Sequence, residues 1–71
     1  MSVAAIGEAD RIDGYGLAGV ALFHASDSQS ALAALAAIPP DTGLLILSRT
    51  AALQLAPRLA ERDIVWVEVP E

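Results

Sequence analysis

The residues of this chain that could do chemistry are few, and most lie near its start. Glu8, Asp10 and Asp13 follow the first apolar run, residues 3–6, which ends at Gly7. If that run is a strand, the three carboxylates crowd its carboxyl end, where open α/β sheets place ligands. Such a trio could hold magnesium, as in response-regulator receivers. A receiver also needs an acceptor aspartate after the third strand and a lysine further on. Here Leu47-Ser48 stand at the first place, and the chain has no lysine. The simpler role for Asp10 is to cap the following helix and complement its dipole.

Gly14-Tyr15-Gly16-Leu17-Ala18-Gly19 is a literal G-x-G-x-x-G. A dinucleotide site needs that turn directly after the first strand, opening a helix whose N-terminus meets the pyrophosphate. These glycines come late in a helical stretch and lead into a strand, so they read as packing and exit glycines. His24 is the single histidine, with no nucleophile and base arranged around it. Ser48 lacks the G-x-S-x-G elbow and reads as a helix cap. With no cysteine, a disulfide or a Cys/His zinc site is excluded. The residues thus predict a chain that is not an enzyme, without catalytic residues, cofactor or metal site.

The elements that must position these residues alternate. Residues 3–6 predict a buried parallel strand. A short helix runs from Asp10 to Leu17 and stops at Gly19. Gly14 and Gly16 weaken that helix by roughly 0.5–1 kcal/mol each relative to alanine, so packing must hold it. Residues 20–25 form the second strand. Ser26 with Gln29 gives a capping-box signature for a second helix, with Ala31, Leu32, Leu35 and Ala36 on its inner face. Residues 39–43 make a turn, and residues 43–47, apolar on both faces, a central strand. Ser48 or Thr50 caps a third helix with Ala52, Leu55, Ala56 and Leu59 inward, and Pro57 predicts a kink or break in it. In the last strand, residues 64–69, Val65, Val67 and Val69 share one face, and Trp66 and Glu68 the other. The order β-α-β-α-β-α-β predicts one α/β domain over residues 1–71. Its small four-stranded parallel sheet carries helices on both faces, Rossmann-like in three layers, joined by right-handed crossovers.

Composition narrows the function. The chain has 71 residues, 55% of them hydrophobic, but much of that is alanine, which buries little area. Such a core supplies only about 3–5 kcal/mol, so self-association or docking on a partner is the expected supplement. The net charge is −5 and the four cations, Arg11, Arg49, Arg58 and Arg62, form no run, which excludes a nucleic-acid footprint. Residues 1–7 carry no basic leader, and no apolar stretch can span a bilayer, so a cytoplasmic protein without direct membrane insertion is expected. Tyr15 and Trp66 are the aromatic candidates for interface anchors.

The stretch Ile6-Gly7-Glu8-Ala9-Asp10-Arg11-Ile12-Asp13-Gly14-Tyr15-Gly16-Leu17-Ala18-Gly19 resembles the opening of the F subunit of V/A-type rotary ATPases, an I-G-D-x-D-x-x-x-G-F-x-L-A-G pattern. Ile6, Gly7, Asp10, Gly14, Leu17, Ala18 and Gly19 match it, and Glu8 and Tyr15 are conservative replacements. Leu44 to Leu47 followed by Ser48 is similar to that family's third strand, and Ile64-Val65-Trp66-Val67-Glu68-Val69-Pro70 to its last strand. The resemblance implies a four-stranded parallel α/β fold and a non-catalytic central-stalk subunit of a proton-translocating ATPase. Its implied partner is the long coiled-coil D subunit, met near Asp10, Asp13, Tyr15 and Trp66. Family members continue past the fourth strand toward the catalytic head, whereas this sequence runs to Glu71, so docking is expected rather than control of hydrolysis. The rival expectation is a free-standing homo-oligomer, a homodimer for example, or a small-ligand sensor using Glu8, Asp10 and Asp13.

Overall fold

The computed structural model describes residues 2–69, apart from the side chains of Leu17 and Ala18. Four strands form one wholly parallel sheet in the order β2-β1-β3-β4. β1 spans Ser2–Gly7, β2 Ala21–His24, β3 Thr42–Leu47 and β4 Trp66–Glu68. Between them lie α1 (Ala9–Ile12) running on into a 3-10 helix (Asp13–Ala18), α2 (Ser28–Ala37) and α3 (Arg49–Leu59). The expected α/β fold with helices on both faces is what forms.

The two central strands are the most apolar, as burial on both faces requires. Ala4, Ile6, Leu45 and Leu47 face α2 and α3, where Ala31, Leu35, Ala51, Ala52, Leu55 and Leu59 complete the main core. Ala5 and Ile46 face the other way and pack under Ile12 of α1, with Val3, Tyr15, Val20, Leu22 and Val69 around them. The strand pairing puts β4 in register with β3, Leu45 beside Trp66 and Ile46 beside Val67. Val67 therefore shares the face of Ile46, and Trp66 the face of Leu45. That is the alternation expected from the sequence.

Several local expectations change. Residue Glu8, not Asp10, holds the N-cap position of α1, and its side chain makes no capping bond there; Asp10 lies in the first turn. The single helix expected over residues 10–17 is one α-turn followed by a 3-10 helix, which ends at Gly19 with φ +82°. Helix α2 is capped by Asp27 in place of Ser26: the Asp27 carboxylate accepts from the Ser30 amide at 2.8 Å, and the Ser30 hydroxyl accepts from the Asp27 amide at 3.1 Å. The inner face of α2 is Ala31, Ala34 and Leu35, leaving Leu32 and Ala36 exposed. Small alanines at 31 and 34 bring that helix close to the sheet, and Leu32 is turned outward over a groove of about 430 Å³ shared with Arg58 and Arg62. Helix α3 continues through Pro57 to Leu59 without breaking, and it buries Ala51 where Ala56 was expected.

Candidate docking site

In an alternating parallel sheet, ligands enter where neighbouring strands send their helices to opposite faces. Here that point lies between β1, which leads to α1, and β3, which leads to α3. The crevice is filled by the chain itself. Gly7 ends β1 against Ser48: a Cβ on Gly7 would stand 2.7 Å from both Cβ and Oγ of Ser48. The buried Ser48 hydroxyl donates to Glu8 Oε1 at 2.7 Å and accepts from the Ala51 amide at 3.1 Å. The carboxylate of Glu8 thus lies beside the start of α3, where an anionic ligand would otherwise be drawn.

Hydrogen bonding from Ser48, then its own backbone, Thr50 and the charge of Arg11 hold the Glu8 carboxyl below its ordinary 4.5, against a smaller opposing effect of burial. A carboxylate lowered by folding stabilises the native state above its unfolded value and loses that contribution as pH falls through the folded one. The melting temperature is therefore expected to drop as pH is taken below about 4.5. Glu8→Gln should make that acid limb shallower in a thermal scan. Part of the slope should remain, because Asp27 is lowered too, by the Ser30 amide and hydroxyl. An unchanged slope in Glu8→Gln would show that the Glu8–Ser48 bond does not stabilise the fold.

The expected acidic trio does not converge. Glu8 turns to Ser48, and Asp13 turns to the carboxyl end of β2, where its Oδ1 meets His24 Nε2 at 2.6 Å. The histidine read as solitary therefore has a carboxylate partner, an ion pair when protonated, with both side chains more than half exposed. No group of three metal-ligating side chains forms among the described residues. Of the G-x-G-x-x-G glycines, Gly16 does pack tightly, a Cβ there standing 2.9 Å from Leu22 Cδ1, whereas Gly14 faces open space.

The surface left over is apolar. α1 and the 3-10 helix pack mainly on β1 and β2, with Ile12 reaching Ile46 of β3, so on that face the edge strand β4 is left most open. The exposed apolar side chains there belong to β4 and the residue before it, Val65 at 66% and Val67 at 47% exposed, while Ile46 of β3 is buried and Val3, Leu44 and Val69 are half-buried beside them. Half-buried Tyr15 borders Ile46 from the 3-10 helix. Trp66, 38% exposed, lies on the opposite face at the sheet edge. The sequence-predicted residues are thus split: Tyr15 packs beside Ile46, Asp10 lies on α1, Asp13 pairs with His24 at the far, β2 edge of the sheet, and Trp66 lies on the opposite face. The sequence signal for the exposed patch was the valine alternation of the last strand, whose exposure depends on where α1 sits. Among the described residues no helix is long and apolar enough to cross a membrane. No protein-family model, curated protein or solved structure matches this chain. The motif positions Leu17 and Ala18, as side chains, and Pro70 lie outside the described residues.

Proposed function

We propose that this chain is a non-catalytic docking subunit whose open β3–β4 face receives a helix of a coiled-coil partner. In this reading it plays the part of the stalk-borne F subunit of a V/A-type proton-translocating rotary ATPase, which the motif around Gly7, Asp10 and Gly14 resembles. One observation carries the reading: an exposed aliphatic surface, Val65 and Val67, along the edge strand β4 beside the half-buried Leu44, at the place where a three-layer α/β sheet holds a further helix. A helix about 10 Å across fits over two strands spaced at about 4.8 Å. Covering a half-exposed valine is worth on the order of 1 kcal/mol, so Val65 and Val67 supply about 2 of the about 8 kcal/mol that micromolar association needs, and the partner's contacts with neighbouring side chains must supply the rest. The motif around Gly7, Asp10 and Gly14 supports the choice of partner class. Such a subunit would be cytoplasmic, peripheral to the membrane through its complex, and without a reaction of its own.

Co-purification with a D-like coiled-coil fragment tests this. The parent chain should retain the fragment at micromolar concentrations. Val65→Ser/Val67→Ser should bind at least about tenfold more weakly, a loss of about 1.4 kcal/mol. Its melting temperature should stay within a few degrees of the parent, since both side chains are largely exposed. A parent chain that retains nothing, or a double variant that binds as well, would sink the proposal.

A further inference from the structure

We infer that residues 8–19 form a hinged cover that opens as one unit while the rest of the sheet stays folded, widening the apolar face from β4 across all four strands. The strand registers point to it. Leu22 pairs with Ala5, Ala5 with Ile46, and Ile46 with Val67, so these four stand in one row across β2, β1, β3 and β4. α1 and the 3-10 helix lie over that row: Gly16 approaches Leu22, and Ile12 packs on Ala5 and Ile46. Val67, at the end of the row, lies beyond the cover and is exposed. The valines of β4 are thus the bare end of a longer apolar strip.

The cover is weakly held compared with the layer on the other face. From Glu8 to Gly19, Ile12 is the one buried residue among the described side chains, whereas α2 buries three and α3 four. A single α-turn joined to a 3-10 helix has no stability of its own. A Cβ on Gly14, in its middle, would meet nothing within 4 Å. Besides Ile12, two carboxylates tie the cover to the sheet, Glu8 to Ser48 at 2.7 Å and Asp13 to His24 at 2.6 Å. The second pair is open to water and holds weakly. Freeing Ile12 gives up far less burial than freeing α2 or α3, so the opened state lies below the unfolded chain in free energy. Closed, the cover hides Ala5 and Ile46; open, it adds them to Val65 and Val67. The device does not depend on what meets β4.

Native-state amide exchange of the full chain in low urea tests this. The reporters in the cover are the amides of Arg11, Ile12 and Gly19, the first two bonded to the Glu8 carbonyl and the third to that of Gly16. Those of the sheet and α3 are Ser48 and Ala52, bonded to the carbonyls of Ile6 and Ser48. The cover amides should share one opening, at least about tenfold more frequent than that of Ser48 and Ala52, with a urea slope above zero and below the global one. Ile38→Val, in a side chain packed on the main core, should speed Ser48 and Ala52 about threefold and leave the cover amides unchanged. Cover amides that exchange together with Ser48 and Ala52, or that speed up with them in Ile38→Val, overturn the inference: the layer then belongs to one cooperative domain. Scattered cover rates without urea dependence overturn it too, because the residues then fray singly.

Discussion

Gly7→Ala is expected to destabilise the domain by about 2–3 kcal/mol, a typical effect of overpacking, and to lower its melting temperature by roughly 10–20 °C. The reason lies in the approach of two strand ends. A methyl group at this position would meet Ser48 Cβ and Oγ at 2.7 Å and Ile12 Cγ2 at 3.0 Å. None of the three can yield freely. Ser48 is fixed by its bonds to Glu8 and to the Ala51 amide, and Ile12 is fully buried. The strand ends would separate, which would loosen the cap of α3 and the carboxylate beside it together. Against a core worth only about 3–5 kcal/mol, the loss takes about half of the stability or more. Gly14→Ala is the control: its Cβ meets nothing within 4 Å, and it should change stability by no more than about 0.5 kcal/mol. Matching denaturation curves for the two variants would refute this account of Gly7.

Ile12→Ala is expected to remove about 3 kcal/mol, within the range for truncating a buried aliphatic side chain. Ile12 is the only buried residue that α1 contributes, and it covers Ala5 and Ile46. Its truncation leaves α1, a single turn, without an anchor on the sheet. Beyond the global loss, amide exchange should quicken over residues 9–18 before it quickens in β1 or β3. The open β3–β4 face should at the same time lose its border at Tyr15. A melting temperature within about 2 °C of the parent would mean that the 3-10 helix and the Asp13–His24 contact hold this layer without Ile12.

The strands were legible because their signals are dense. Residues 43–47 contain nothing but apolar side chains and glycine, and the valine alternation before Glu71 assigns each residue to a face. Helix details were less legible, because caps compete over short distances. Ser26 and Asp27 can each start α2, and the carboxylate of Asp27, paired with Ser30, wins. Likewise an alanine-rich helix can present several faces to a sheet. The one that lets the backbone come closest buries Ala31 and Ala34 and expels Leu32. At the candidate site, the sequence named Tyr15 and Trp66 but could not know that alternate faces divide them. Nor could it bring Glu8 to Ser48, which are 40 residues apart. The open face itself depends on a layer arrangement that no local pattern encodes: α1 is a single turn whose one buried side chain, Ile12, reaches Ile46 of β3 and leaves the valines of β4 exposed.

The strand order also bears on how the chain is made. β1 lies at the centre of the sheet, yet one of its partners is β3, with Ser2 aligned to Thr42 and Ile6 to Leu47. During synthesis β1 and β2 can meet early, but one long side of β1 stays unsatisfied until β3 has left the ribosome. Parallel pairings at such separation close slowly, because the loop must be ordered before the contacts form. For that interval the most apolar strand of the first half offers its backbone to any other chain nearby. The nascent protein should therefore be most prone to aggregation, and most dependent on chaperones, before α3 is complete.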